Sequence, residues 1–179
     1  MTKVFIDGSY GTTGLRIHQR LQSRRDLKLI AIPYEERHNE SARRKAYEEA
    51  DFVFMCLPDA AAKEAVPMAK ACHTRVIDAS TAHRTADGWV YGFPEISGTA
   101  AIERAPLVAN PGCHASGVNA LIYPLIRNGI LSPAQKLQCF SLTGYSGGGK
   151  KMIGEYEGDH RDALLDAPRM YGLSQQHKH

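Results

Sequence analysis

In the stretch LVANPGCHASG (107–117), Cys113 directly follows Asn110-Pro111-Gly112 and directly precedes a helix-like run. Asn-Pro-Gly turns the chain sharply, so Cys113 stands at or near a helix N-terminus. Backbone N–H groups and the helix dipole favour a thiolate there. The same amides can receive the oxyanion formed when a thiolate attacks a carbonyl. The remaining cysteines have no such approach. Cys56 lies within the strand-like FVFMCLP, Cys72 ends a helix-like run and Cys139 sits in another strand-like one, so each reads as a small core hydrophobe. No CxxC pair occurs, and neither a metal site nor a disulfide framework is expected.

A second chemical signal lies near the N-terminus. DGSYGTTG (7–14) follows an apolar run and opens a helix-like one, spacing Gly8, Gly11 and Gly14 as GxxGxxG. That is one residue longer than the GxGxxG dinucleotide fingerprint, but the physics is the same. Glycines allow the tight turn and let backbone N–H groups approach a pyrophosphate at a helix N-terminus. Ser9 and Tyr10 fill the loop, and the Thr12 and Thr13 hydroxyls can donate to a ligand or cap the helix. NAD binders usually end the second strand with an acid. Here Pro33 takes that neighbourhood, Arg37 follows, and Arg43 and Arg44 lie further on. Guanidinium groups suit a 2′-phosphate, which favours NADP(H), while Glu35 or Glu36 could serve a ribose instead. A thiolate beside a dinucleotide points to acyl chemistry: cysteine holds an acyl group while a hydride moves to or from it.

These groups need a scaffold that brings strand ends together, and the rest of the chain supplies one. Short apolar runs at 3–7, 27–33, 51–58, 75–80 and 105–110 alternate with helix-like runs at 14–24, 41–50, 60–72 and 114–129. In the first helix Leu15, Ile17 and Leu21 are expected to face inward, and the third is expected to break or shift at Pro67. Strands flanked by helices predict an α/β fold with a Rossmann-like, doubly wound parallel sheet. From about Lys136 the style changes, and KLQCFSLTGYSGGGKK reads as a strand and glycine-rich turn that belong to a second unit. The division is expected at 1–112 for dinucleotide binding and 113–179 for the start of the catalytic domain. The ending YGLSQQHKH carries neither a helix stop nor a strand partner. A second domain begun at 136 has too few residues for its own core, so the chain reads as truncated.

Composition narrows the partners. A net charge of +3 across 179 residues without a run of like charge gives no reason to expect nucleic acid. Apolar stretches fall well short of the roughly 20 residues of a membrane span. The N-terminus has neither a signal nor a transit pattern, and with unpaired cysteines the expected location is cytoplasmic.

Taken in order, GSYGTTG, DAS…R (Asp78, Ala79, Ser80, Arg84), YGFPE (91–95), NPGC (110–113), GYSGGGK (144–150) and HKH (177–179) resemble the N-acetyl-gamma-glutamyl-phosphate reductase family in its shorter-chain form. That family is similar in plan to aspartate-semialdehyde dehydrogenase. Each motif alone is weak, whereas their conjunction is specific. The resemblance implies an NADPH-dependent oxidoreductase of arginine biosynthesis that reduces N-acetyl-glutamyl 5-phosphate to the 5-semialdehyde, releasing phosphate. Cys113 would form the thioester. His177 or His179 would be general acid and base, with His177 favoured and His114 a local rival. Pro58, Ser80, Ser146 and Gly147 would join the glycine loop and Arg37 around the cofactor. Arg84, Asn110, Ser146 and Lys150 would meet the acyl-phosphate substrate, and Glu95 would orient neighbouring groups. The resemblance also implies that the second unit begins an α+β substrate and dimerisation domain, and that the intact protein is a homo-oligomer, dimer or tetramer. The alternatives are an aspartate-semialdehyde dehydrogenase, or a non-catalytic NADP-binding fragment or redox module built on Cys113.

Overall fold

The computed structural model describes residues 1–171; His177 and His179 lie outside the described residues. The elements in chain order are β1 (Thr2–Asp7), α1 (Thr12–Leu21), β2 (Leu27–Ile30), α2 (Glu40–Glu49), β3 (Phe52–Met55), α3 (Asp59–Ala71) and β4 (Arg75–Asp78). There follow β5 (Val90–Tyr91), α4 (Pro94–Ser97), α5 (Thr99–Arg104), β6 (Leu107–Ala109), α6 (Cys113–Arg127) and α7 (Gly149–Glu157). The six strands form one sheet in the order β2-β1-β3-β4-β6-β5. Every pairing is parallel, so all the strands end on the same edge. From β1 the chain first crosses to β2 on one side and then to β3 on the other. The topological switch point, where doubly wound sheets bind ligands, therefore falls between β1 and β3.

Burial explains the strand choice. Val4, Phe5 and Ile6 are consecutive and all buried, as expected of a strand covered on both faces. The core joins Phe5, Tyr47, Val53, Met55, Val66, Val76 and Leu107. Helix α3 packs closely because Ala62, Ala65 and Ala69 fall on one face at helical spacing. It continues through Pro67 rather than breaking there. Pro67 and Lys63 both lie on the exposed face, so water can replace the bond that proline denies the Lys63 carbonyl.

Two other sequence expectations differ from the structure. Leu15 is exposed, with Ile17 and Leu21 half-buried. The residue that seats α1 is Gly14, where a Cβ would lie 2.2 Å from the Gly8 carbonyl oxygen. With Gly14 inward, Ile17 and Leu21 follow on its face and Leu15 is turned about 100° away. The strand expected from Lys136 is absent: residues 136–144 are irregular, and Phe140 and Leu142 are exposed. Among the described residues no strand pairs with that segment, and a lone strand cannot satisfy its backbone groups.

The described residues form two compact units, 1–131 and 132–171. The first holds the sheet and α1 to α6. In the second, a 3₁₀ turn at Tyr145–Gly148 leads into α7, and Tyr145 stacks on Tyr156 at 4.7 Å while its hydroxyl donates to Glu157 at 2.7 Å. Among the described residues no helix is long and apolar enough to cross a membrane.

Candidate active site at the carboxyl edge of the sheet

The first turn of the site is the one after β1. Gly8 has φ +88°, and a Cβ on it would lie 2.3 Å from the Cys56 carbonyl oxygen at the end of β3. Gly11 N donates to the Gly8 carbonyl at 2.9 Å, closing the turn. Helix α1 then starts at Thr12 with Gly11 as N-cap and no side-chain cap. The N–H groups of its first turn have no intrahelical acceptor, and Thr12 and Thr13 are exposed beside them. Backbone donors, a helix N-terminus and a turn too tight for any Cβ at its base are what a dinucleotide pyrophosphate requires, so the residues present fit that cofactor. Tyr10 packs edge-on against Tyr34 at 4.9 Å. Arg37 lies over the Tyr34 ring at 3.7 Å and donates to the Tyr34 carbonyl at 2.7 Å, which holds its guanidinium beyond β2. Pro58 is the N-cap of α3, at the end of β3.

The second turn lies after β6. The Asn110 N–H donates to the Asp78 carbonyl at 2.8 Å, extending the sheet ladder one residue beyond β6. Arg84 Nε donates to the Asn110 carbonyl at 3.0 Å. Gly112 is the buried N-cap of α6, and Cys113 is the first helical residue, exposed and with no side-chain cap above it. The sheet thus brings the glycine turn, Pro58, Ser80, Arg84, Asn110 and Cys113 to one edge. Ser146, Gly147 and Lys150 belong to the second unit, in its 3₁₀ turn and the start of α7. Glu95 is exposed in α4, and His114 is half-buried as the second residue of α6.

The other thiols are differently placed. Cys56 is half-buried, and burial, reinforced by the charges of Asp7 and Asp78, pushes its thiol up to about 12. Burial also raises Cys72, with Glu48 adding to the effect. Cys139, expected in a core strand, is exposed because that strand does not form.

Two buried carboxylates beside this edge carry structure that motif reading does not reveal. Asp7 and Asp78 end β1 and β4 and flank Met55 in the ladder. Asp7 accepts from Arg43 at 2.6 Å and from the Tyr47 hydroxyl at 2.8 Å. Burial pulls the Arg43 pKa down, but the Asp7 hydrogen bond and charge, with Tyr47 adding to them, raise it overall. Arg43 is therefore committed to Asp7, and Arg44 pairs with Glu40 at 3.5 Å. Of the three arginines after β2, Arg37 is the one tied to a ring and a carbonyl rather than to a carboxylate. Asp78 accepts from Ser80 N at 2.9 Å, Ser80 Oγ at 2.7 Å and His83 Nδ1 at 2.6 Å. The Ser80 hydroxyl thus holds the turn after β4. A sequence signal for both groups does exist: KVFID and RVID are apolar strands that end in aspartate.

Replacing Arg43 with methionine leaves the Asp7 carboxylate buried without its cation, at an expected cost of about 3 kcal/mol. Adding Asp7→Asn should restore most of that loss in urea unfolding. Losses that simply add would show that the two residues do not act as a pair.

A cleft of about 380 Å³ opens beside β2 and α2, lined by Ile32, Asn39, Lys45 and Glu49 among others. Neither the glycine turn nor Cys113 lines it, so it is not the meeting point of the two turns.

Comparisons with known proteins bear on the family and the fold. A family model described as semialdehyde dehydrogenase, NAD binding domain, matches residues 3–105, and one described as semialdehyde dehydrogenase, dimerisation domain, matches residues 113–179. The chain is 49% identical over 179 residues to an N-acetyl-gamma-glutamyl-phosphate reductase of Chelativorans sp., covering 99% of this chain and 57% of that protein. It is 46% identical over 178 residues to N-acetyl-gamma-glutamyl-phosphate reductase 2 of Pseudomonas putida, covering 98% of this chain and 56% of that one. The chain thus spans little more than half the length of these relatives. In structure it is similar to aspartate semialdehyde dehydrogenase II from Vibrio cholerae, with a TM-score of 0.62 at 17% identity over 98% of this chain and 56% of that one. At that identity the likeness concerns the fold alone.

Proposed function

Because this chain belongs to the semialdehyde dehydrogenase family, we propose that it acts in the NADPH-dependent reduction of N-acetyl-glutamyl 5-phosphate to the 5-semialdehyde, a step of arginine biosynthesis. The observation that carries this reading is the placement of Cys113 as first residue of α6, on the same sheet edge as the glycine turn after β1. Residues 1–112 would bind the cofactor, and residues 113–179 would begin the catalytic and dimerisation part. The names of the relatives supply the substrate class.

In this account the Cys113 sulfur attacks the acyl-phosphate carbonyl, with the α6 N–H groups facing the oxyanion. The acyl carbon–oxygen bond then breaks, phosphate leaves with the electron pair, and a thioester remains on Cys113. When bound, the reduced nicotinamide supplies the hydride that takes this acyl group to the aldehyde level. His177 or His179 would move the protons, taking one from the thiol and managing that of the hemithioacetal oxygen, before the carbon–sulfur bond breaks and Cys113 is regenerated. Ser9, Tyr10, Thr12, Thr13 and the glycines would hold the pyrophosphate end of the cofactor. Pro58, Ser80, Ser146 and Gly147 would border its remainder. Arg84, Asn110, Ser146 and Lys150 would receive the substrate, its phosphate above all.

Arg37, held over the Tyr34 ring, would read the 2′-phosphate. Arg37→Ala should weaken NADPH binding by about tenfold or more while leaving NADH binding unchanged, as fluorescence titration would register. Equal loss for both cofactors would remove Arg37 from this role. Homo-oligomerisation through the second domain and a reducing cytoplasm, suited to thiols that are all free, complete the proposal. The test of the reaction is NADPH oxidation by the full-length protein with N-acetyl-glutamyl phosphate and, separately, with aspartyl phosphate. Turnover of the first alone is expected. A preference for the second would assign the chain to the aspartyl substrate instead, and NADPH binding without turnover of either would make it a binding module.

A further inference from the structure

We propose that His83 is a positioning residue for the Asn110-Pro111-Gly112 turn, acting through its neighbour Arg84. Its kinetic consequence rests on the reading of Cys113 as nucleophile, whereas its structural consequence does not. His83 is buried, its Nδ1 lies 2.6 Å from the Asp78 carboxylate, and its ring stacks on Trp89 at 4.2 Å with 11° between the planes. Carboxylate on one side and indole on the other fix both the position and the plane of the ring. Ser80 adds two bonds to the same carboxylate, and Thr81 bonds Asp59 through its N–H at 3.0 Å and its hydroxyl at 2.6 Å. Residues 80, 81 and 83 are thereby pinned, which fixes the backbone that carries Arg84.

From that backbone Arg84 Nε donates to the Asn110 carbonyl at 3.0 Å. The Asn110 N–H is held by the Asp78 carbonyl at 2.8 Å. Asp78 therefore touches the turn twice: directly through its main chain, and indirectly through its side chain, His83 and Arg84. Asn110 is exposed, so without this clamp its peptide would exchange its partners for water. A turn free to rotate would carry the start of α6, and with it the Cys113 sulfur, away from a fixed approach; small displacements of a reacting group are costly.

Amide hydrogen exchange of the full-length protein tests the clamp without any assay of turnover. In His83→Ala, exchange across 108–113 should quicken by about tenfold or more while 53–55 in the sheet stays as in the wild type, the mark of a local opening. Arg84→Ala should give the same local change, and the double variant nothing further. His83→Asn, whose side-chain amide can donate to Asp78 from nearly the same place, should restore most of the protection. In steady-state kinetics His83→Ala should lower kcat and leave the NADPH dissociation constant unchanged. Exchange rising equally in both segments, additive effects of the two alanine variants, or no rescue by asparagine would overturn the proposal. If His83→Ala does not fold, Arg84→Ala and His83→Asn decide the matter: unchanged exchange at 108–113 in Arg84→Ala, or no asparagine protection, overturns it. If the wild type shows no reductase turnover, the functional reading falls, and the exchange data still judge the clamp.

Discussion

Cys113→Ala is expected to lower kcat/KM for acyl-phosphate reduction by on the order of 10⁴-fold or more, with NADPH binding and unfolding both unchanged. The size of the effect follows from what is removed. Without the sulfur no thioester can form, and neither the helix N-terminus nor the bound cofactor supplies another nucleophile. The selectivity follows from the position. Cys113 is exposed and is the first residue of α6, so alanine there leaves no cavity and takes no hydrogen bond from the helix. Cys113→Ser should be nearly as inactive, since a hydroxyl at the same place is a far weaker nucleophile. Steady-state rates beside a cofactor titration and an unfolding curve check all of this together. Residual activity above about one per cent in the alanine variant would mean that the acyl group is not carried on Cys113.

Gly8→Ala has the second large effect, and it concerns the scaffold first. Its φ of +88° disfavours any side chain, and the added Cβ would sit 2.3 Å from the Cys56 carbonyl oxygen and 2.9 Å from its carbon. Both atoms are main chain at the end of β3, so neither can move aside without parting β1 from β3. A loss of about 3 kcal/mol or more is expected. Because the parting occurs at the switch point, NADPH binding should be lost even under conditions where the variant still folds. Gly88→Ala is the control. It has φ +80° with nothing within 4 Å of the added atom, so only the backbone penalty of about 1 kcal/mol applies. Equal unfolding midpoints for the two variants would show that the close approach at Gly8 matters less than its backbone angle.

The parts of this architecture legible in the sequence were those with a local cause. Apolar runs fix the buried strands, and the run KVFID-GSYGTTG fixes both the switch-point turn and the helix behind it. The place of Cys113 at a helix start was legible for the same reason: Asn-Pro-Gly is a turn wherever it occurs, and a helical pattern follows it. What depends on distant partners was not legible. The segment after Lys136 alternates like a strand, yet no strand among the described residues pairs with it. Leu15 has a helical inward spacing, but the contact of Gly14 with the Gly8 carbonyl rotates the helix and turns it outward. The short β5 and the helices α4 and α5 carry too few residues to show a period. Of the candidate site, the hydroxyl of Ser80 and the guanidinium of Arg43 could not be assigned from motifs, because each is taken by an aspartate from another part of the chain or of its own turn. His83 carries no motif of its own for a related reason: its use depends on Asp78 and Trp89, which only the fold brings around it.

In the proposed mechanism an acyl group rests on Cys113 before any hydride arrives. Mixing the full-length protein with N-acetyl-glutamyl phosphate in the absence of NADPH, then weighing the intact and digested protein, tests it most directly. The expected result is a mass gain of one N-acetyl-glutamyl group on the peptide carrying Cys113, stoichiometric release of phosphate, and loss of the adduct when NADPH is added. Phosphate release that requires NADPH, or an adduct on any other residue, would contradict it.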